Sequence, residues 1–170
     1  DTLLASRALM TDLGEAAPSF AYTHLLWPIG MTRTTIEVDW AGAPILSSQV
    51  WMTARDLARL ALLHLNDGVW NGERLLPEGW VATATSPVGP QPPAQAQLGY
   101  GRAIWLMGAA AGLPDGSYGF NGNRGQYAVI VPSARLVVVR RGFDPTGAGF
   151  DQVALARDVL AALASPAPTR

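Results

Sequence analysis

The chain has no cysteine and no lysine; all 12 of its basic residues are arginine. Without cysteine, disulfides, thiolate nucleophiles and cysteine-ligated metals are excluded. Without lysine, a Ser-Lys pair or a Schiff base cannot be built from these residues alone. Charge is scarce too, at 15% of residues with a net charge of -1. That balance gives no electrostatic reason to expect a nucleic-acid partner. No apolar run is long enough to span a bilayer. The sequence opens at Asp1 with neither Met nor a signal-like stretch. The natural amino terminus is therefore expected upstream, which leaves a signal peptide and the compartment open.

What is present suits a packed protein. Hydrophobic residues make up 49% of 170, enough for the core of one compact domain. The first half, residues 1–85, reads as mainly helical. Leu3, Leu4, Ala8, Leu9 and Leu13 fall near helical spacing, with Gly14 as a stop. Ser19 is placed to cap a second helix that ends at Trp27-Pro28. Residues 30–52 show broken periodicity and read as a long loop. Thr53 opens the strongest helix. Asp56 lies three residues on, Leu57, Leu60, Ala61 and Leu65 form its apolar face, and Gly68 closes it. A shorter helix is expected from Pro77 to Ala84.

Residues 86–97 hold four prolines and read as a loop. Beyond it, residues 98–164 change period. Tyr100–Met107, Gln126–Val131 and Leu136–Arg140 suit strands, the last two joined by Pro132-Ser133-Ala134-Arg135 as a hairpin. Leu136 to Val139 is apolar at every position, as in a strand covered on both faces. Asp151–Leu163 reads as a closing amphipathic helix, and 165–170 as a tail expected to fray. Helices, then strands, then a helix predict an α+β fold.

Candidate chemistry centres on Gly116 to Gln126, where Gly116, Gly119, Gly122 and Gly125 recur every third residue. Glycines admit φ > 0 and close approach of a ligand to the main chain. A following strand lets such a segment aim backbone N–H groups at a developing oxyanion. From the spacing alone an ordinary Gly-rich hairpin loop is the favoured reading, because such turns are common. A phosphate-binding loop does not fit, because its lysine is missing. His24 and His64 sit beside apolar positions and read as packed or partly exposed helix residues; two isolated histidines do not make a metal site. No serine occupies a Gly-x-Ser-x-Gly elbow, which argues against a self-contained triad. No cofactor is implied. The six tryptophans read as core or loop anchors.

Three ordered blocks resemble a known family. Leu26-Trp27-Pro28-Ile29-Gly30-Met31 resembles the "PLGM" segment of class C β-lactamase-like serine hydrolases. Thr53-Ala54-Arg55-Asp56-Leu57-Ala58-Arg59, with Trp70-Asn71-Gly72 and Leu75-Leu76-Pro77, resembles their "TARDLAR … WNG … LLP" helix and loop. Gly125-Gln126, Pro132-Ser133 and Leu136–Arg140 resemble their "GQ … VPS … LVVVR" hairpin. The flavour is that of 6-aminohexanoate-dimer hydrolases and related esterases, over residues 1–164. The resemblance implies a β-lactamase/transpeptidase-like fold, present in part: the carboxy-terminal portion of one domain.

It further implies cleavage of a small amide or ester through an acyl-enzyme. The family's Ser-x-x-Lys and Tyr motifs precede the "PLGM" segment, so no catalytic residue is expected in this chain. Its partner would be the amino-terminal part of the same domain. Loss of a hydrolase nucleophile costs on the order of a million-fold in rate, so the chain alone is expected to be inactive. The third motif, Lys-Thr-Gly or His-x-Gly, has two registers. Counting back without gaps gives Ser117-Tyr118-Gly119. Anchoring on "H-x-G-Q" gives Asn123-Arg124-Gly125 and preserves Gly125-Gln126. The resemblance thus places substrate binding and half of the oxyanion hole at Gly122, Asn123, Arg124, Gly125 and Gln126, with Arg124 available to a carboxylate-bearing substrate. A non-catalytic ligand- or peptide-binding relative of the same fold, or an incomplete gene product, are the alternatives.

Overall fold

A computed structural model describes residues 2–91, 93 and 98–165. The chain forms two compact units, residues 1–60 and 61–170.

In the first unit α1 (Thr2–Leu13) buries none of its side chains, and Leu3, Leu4 and Leu9 stand exposed. Gly14 (φ +52) opens a 3-10 turn that leads into α2 (Ala17–Ala21). Pro18, not Ser19, marks the start of α2, because its fixed φ suits a first turn and its missing N–H costs nothing there. Ser19 lies inside the helix, and its hydroxyl donates to the Ala16 carbonyl at 3.3 Å. The helix widens into an i→i+5 turn over Tyr22–Leu26, and Trp27 keeps α geometry although Pro28 follows. Tertiary packing overrides the pre-proline preference at this point: Leu26 and Ile29 are buried, and the Met31 N–H reaches the Leu26 carbonyl at 2.8 Å.

Residues 30–52 are less loop-like than their sequence suggests. They contain β1 (Thr34–Ile36) and β2 (Val50–Met52), antiparallel with Thr35 opposite Trp51. α3 (Ala54–Leu65) follows with its cap as expected, the Thr53 hydroxyl accepting from the Asp56 N–H at 3.2 Å. Asp56 does not reach back to complete a box. Its buried carboxylate accepts from the Arg33 N–H, the Thr34 hydroxyl and the Arg59 guanidinium, each at 2.9 Å.

The second unit starts with the last turns of α3, which end at Gly68 (φ +78), whose N–H bonds the Leu63 carbonyl at 2.8 Å. The ribbon β3 (Val69–Trp70)–β4 (Glu73–Arg74) and α4 (Trp80–Ala84) come next. α4 begins later than Pro77, because Gly79 takes a left-handed conformation. Of the proline-rich stretch, residues 86–91 and 93 form no helix or strand, and residues 92 and 94–97 lie outside those described.

An antiparallel five-stranded meander follows in the order β5 (Gly99–Tyr100), β6 (Trp105–Leu106), β7 (Tyr118–Gly122), β8 (Gln126–Val131) and β9 (Leu136–Arg140). The expected strand Tyr100–Met107 is broken into β5 and β6 by Ala103, at φ +59. The β8–β9 hairpin turns through Pro132–Ala134, with Arg135 left-handed. α5 (Gln152–Ala164) is capped by Asp151, which accepts from the Ala154 N–H at 2.8 Å. Its Val153, Ala156 and Leu160 pack with Val129 and Val131 on one face of the sheet. Ala128 and Ile130 on the other face are equally buried, so the interior strand β8 is covered on both sides. The edge strand β9 is half-buried along its whole length. The expected tail beyond Ser165 lies outside the described residues. No described helix is long and apolar enough to cross a membrane.

Candidate functional site

The β7–β8 hairpin carries the Gly-rich segment singled out in the sequence. Gly122 closes β7 opposite Gln126, leaving Asn123, Arg124 and Gly125 as a three-residue turn. Arg124 (φ +57) and Gly125 (φ +88) both take left-handed backbone, the usual device by which such turns match strand twist. Gly125 is buried although it sits at a turn. A Cβ there would lie 2.1 Å from Arg140 Nη1 and 2.2 Å from Asp144 Oδ2, so any side chain would have to displace those two groups.

Those two atoms belong to an ion pair that sequence reasoning passed over. Arg140, the last residue of β9, makes a two-pronged contact with Asp144: Nη1 to Oδ2 at 2.8 Å and Nη2 to Oδ1 at 2.6 Å. The Arg140 Nη1 also donates to the Gly125 carbonyl at 3.0 Å, and the guanidinium lies 3.8 Å over the Phe150 ring. The hydrogen bonds from Arg140 hold the Asp144 carboxyl below the usual carboxylate range, against the opposing effect of partial burial. The reciprocal bond raises Arg140. The only hint in the sequence is a charge that ends an apolar strand.

Arg124 and Gln126 are tied to the same segment. The Arg124 Nε donates to the Asp144 carbonyl at 3.0 Å, its guanidinium lies 3.8 Å over Phe143, and its own carbonyl accepts the Asp144 N–H at 3.1 Å. The Gln126 side-chain amide donates to the Gly142 carbonyl and, at 3.3 Å, to the Arg124 carbonyl. The structure thus joins Gly122–Gln126 to residues 140–144 as one hydrogen-bonded corner. Asn123 projects from it, exposed.

Ser117, Tyr118 and Gly119 lie at the other end of β7, and all three are buried. The Ser117 hydroxyl donates to the Pro114 carbonyl at 2.6 Å. Burial, followed by the nearby Asp67 charge, raises the Tyr118 phenol above its ordinary value, so it stays protonated. A Cβ on Gly119 would lie 2.5 Å from the Ala128 carbonyl. Within this unit these three residues are packing groups, whereas the turn Asn123–Gly125 reaches solvent at Asn123 and Arg124. His24 stacks on Phe20 but stays exposed, and the half-buried His64 ring meets the edge of Phe120 at 5.0 Å. No group of His, Asp or Glu among the described residues is arranged to hold a metal ion.

Chemically, the corner offers main-chain groups held in place from one side and a positively charged surround. It holds no nucleophile–base pair. The family model for Beta-lactamase matches residues 4–161. No curated protein matches the chain significantly in sequence. Among solved structures, a protein assigned as a 6-aminohexanoate-dimer hydrolase in Bacillus anthracis is similar with TM-score 0.63 and 23% identity, over 84% of this chain and 36% of that one. A protein assigned as a β-lactamase in Bacteroides dorei DSM 17855 gives TM-score 0.65 and 22% identity, over 93% of this chain and 55% of that one. At such identities the likeness concerns the fold, and this chain spans only about a third to a half of either neighbour. Helices followed by an antiparallel meander and a closing helix therefore form part of the β-lactamase-like fold, and the chain belongs to the beta-lactamase family.

Proposed function

We propose that these residues form the carboxy-terminal part, 1–164, of a serine hydrolase domain of the class C type that cleaves a small amide or ester bond through an acyl-enzyme. The family match across residues 4–161 carries this reading. The nucleophile and its lysine would come from residues other than these 170, because the chain has no lysine to give. The β7–β8 turn would border the cleft. Backbone N–H groups near Asn123 to Gln126 would supply one side of the oxyanion hole, a contribution worth roughly a hundred- to thousand-fold in rate per donor. Such a donor must be held in place before the reaction. The Arg140–Asp144 pair, bonded to the Gly125 carbonyl, is suited to that task.

The test is to express the domain with its upstream region and treat it with a p-nitrophenyl ester, a β-lactam and a short amide oligomer. A mass increase by the acyl group, on a serine outside this chain, is the expected result. The 170-residue chain alone should give no adduct and no turnover. Absence of an adduct from all three substrates would overturn the reading and assign the domain to a ligand-binding relative instead.

A further inference from the structure

A concavity lies within residues 61–170, on the sheet face away from α5. Its volume is about 250 Å³. Ile104 and Ala84 form its buried part, and Phe120, the His64 ring and the Trp80 indole add aromatic walls. Arg102 stands at its exposed side.

The wall is firmly built. The β5–β6 turn is pressed onto the end of α4: the Arg102 N–H donates to the Ala84 carbonyl at 2.9 Å, and its Nη1 to the Thr83 carbonyl at 2.5 Å. A Cβ on Gly101 would lie 2.3 Å from the Ala84 carbonyl, so only glycine allows this approach. Ala103, which lines the pocket, is held at φ +59, a conformation that an alanine adopts only when its surroundings impose it. A pocket whose wall is clamped in this way exists before any ligand arrives.

Size and charge together define what fits. The volume falls just below the range of about 300–1,000 Å³ typical of drug-sized sites, so it suits one ring or a short branched chain. Among the described residues no carboxylate lines it, and Arg102 brings a permanent positive charge with N–H groups beyond the one held by Thr83. Arg124, the guanidinium the sequence offered to a carboxylate, is instead engaged with Phe143 and Asp144. The location is also informative. Phe120 and Gly122 point to the same side of β7, one pleat repeat or about 7 Å apart. The pocket therefore borders the turn to which the oxyanion role is assigned.

We infer that this pocket binds a small monocarboxylate with a compact apolar body, and that in the hydrolase it receives the acyl side of the substrate. The second half rests on the hydrolase reading; the first does not. Hydrolysis releases an acid and an amine or alcohol, and only the acid matches a guanidinium without an acidic neighbour.

Binding is measured on the domain expressed with its upstream region by ligand-observed NMR titration, with benzoate, benzamide and benzylamine as probes of one shape and three charges. Benzoate is expected to bind saturably and at least ~10-fold more tightly than benzylamine, the margin of one partly exposed charge-assisted contact. Arg102→Gln should weaken benzoate about 10-fold and leave benzamide unchanged, since glutamine retains a donor for the Thr83 carbonyl. Thr83→Trp, on the exposed side of α4, should fill the pocket and abolish binding of both. Circular dichroism of each variant checks that it folds. Equal binding of benzoate and benzylamine, indifference of benzoate to R102Q, or no saturable benzoate binding overturns the inference. Because no turnover is needed, a failure here is distinct from the absence of an acyl-enzyme, which would leave the charge preference intact.

Discussion

Gly125 shows how much one residue can be asked to do. It needs a left-handed backbone, lies against an ion pair, and offers its carbonyl to Arg140. Gly125→Ala meets both the positive φ and the guanidinium–carboxylate pair. It should cost about 1–3 kcal/mol, read as a lower urea midpoint at unchanged slope. Asp144 gives a pH signature. Its folded pKa is depressed, so its stabilising effect is fully present above the unfolded value of roughly 3.9 and is lost as pH falls through the lower folded value. The native chain should therefore lose melting temperature on acidification into that window, and Asp144→Asn should lose less over the same interval. Equal acid slopes for the two proteins would count against the pair as the cause. The glycine was legible in the sequence, because a Gly before a strand signals a turn. The ion pair was not. Arg140 and Asp144 are four apart, but they sit at the end of a strand where i,i+4 spacing carries no rule; only the fold-back of residues 141–144 brings them together.

Elements with a strong local signal formed where the sequence placed them. α3 starts after Thr53, and α5 after Asp151, because each cap satisfies an N–H that the first turn leaves open. Asp151→Ala should cost α5 about 1 kcal/mol. Hydrogen exchange should register this first in α5, the helix that covers Val129 and Val131. The missed elements depend on distant partners. β1 and β2 are three residues each and pair Thr34 with Met52 across a long intervening loop, so neither has a period of its own to display. β7 was hidden by its glycines, which weaken a strand in isolation. It forms because β6 and β8 flank it, and because Gly119 lets the Ala128 carbonyl approach. The break between β5 and β6 falls at an alanine, which carries no turn signal of its own. The same logic divides the candidate site: its turn was readable from glycines and the Gln126 context, whereas the pocket beside Phe120 is assembled from four separate stretches of chain.

At the scale of the whole molecule, the described residues leave apolar surface without cover. β9 is an edge strand carrying Leu136-Val137-Val138-Val139, none of them fully buried. An edge of this kind presents unpaired backbone groups beside apolar side chains, which is the arrangement natural proteins blunt with charge, proline or a covering element. α1 adds Leu3, Leu4 and Leu9, all exposed on a helix with no buried side chain. In the family fold proposed above, upstream strands and helices would cover such surfaces, so the chain taken alone should be marginally stable and prone to pair edge to edge. Sedimentation velocity across a hundredfold range of concentration should show the 170-residue chain shifting to larger species. Val137 and Val139 lie on the face away from α5, two residues apart. Val137→Lys with Val139→Lys places two positive charges on that edge without touching the core around Ala156, and should hold the chain monomeric over the same range. Supplying the upstream region should have the same effect on the unmodified sequence while also sharpening the thermal transition. A chain that is already monomeric at every concentration, with a cooperative melt, would mean that residues 1–170 bury enough surface to stand without the rest of the domain.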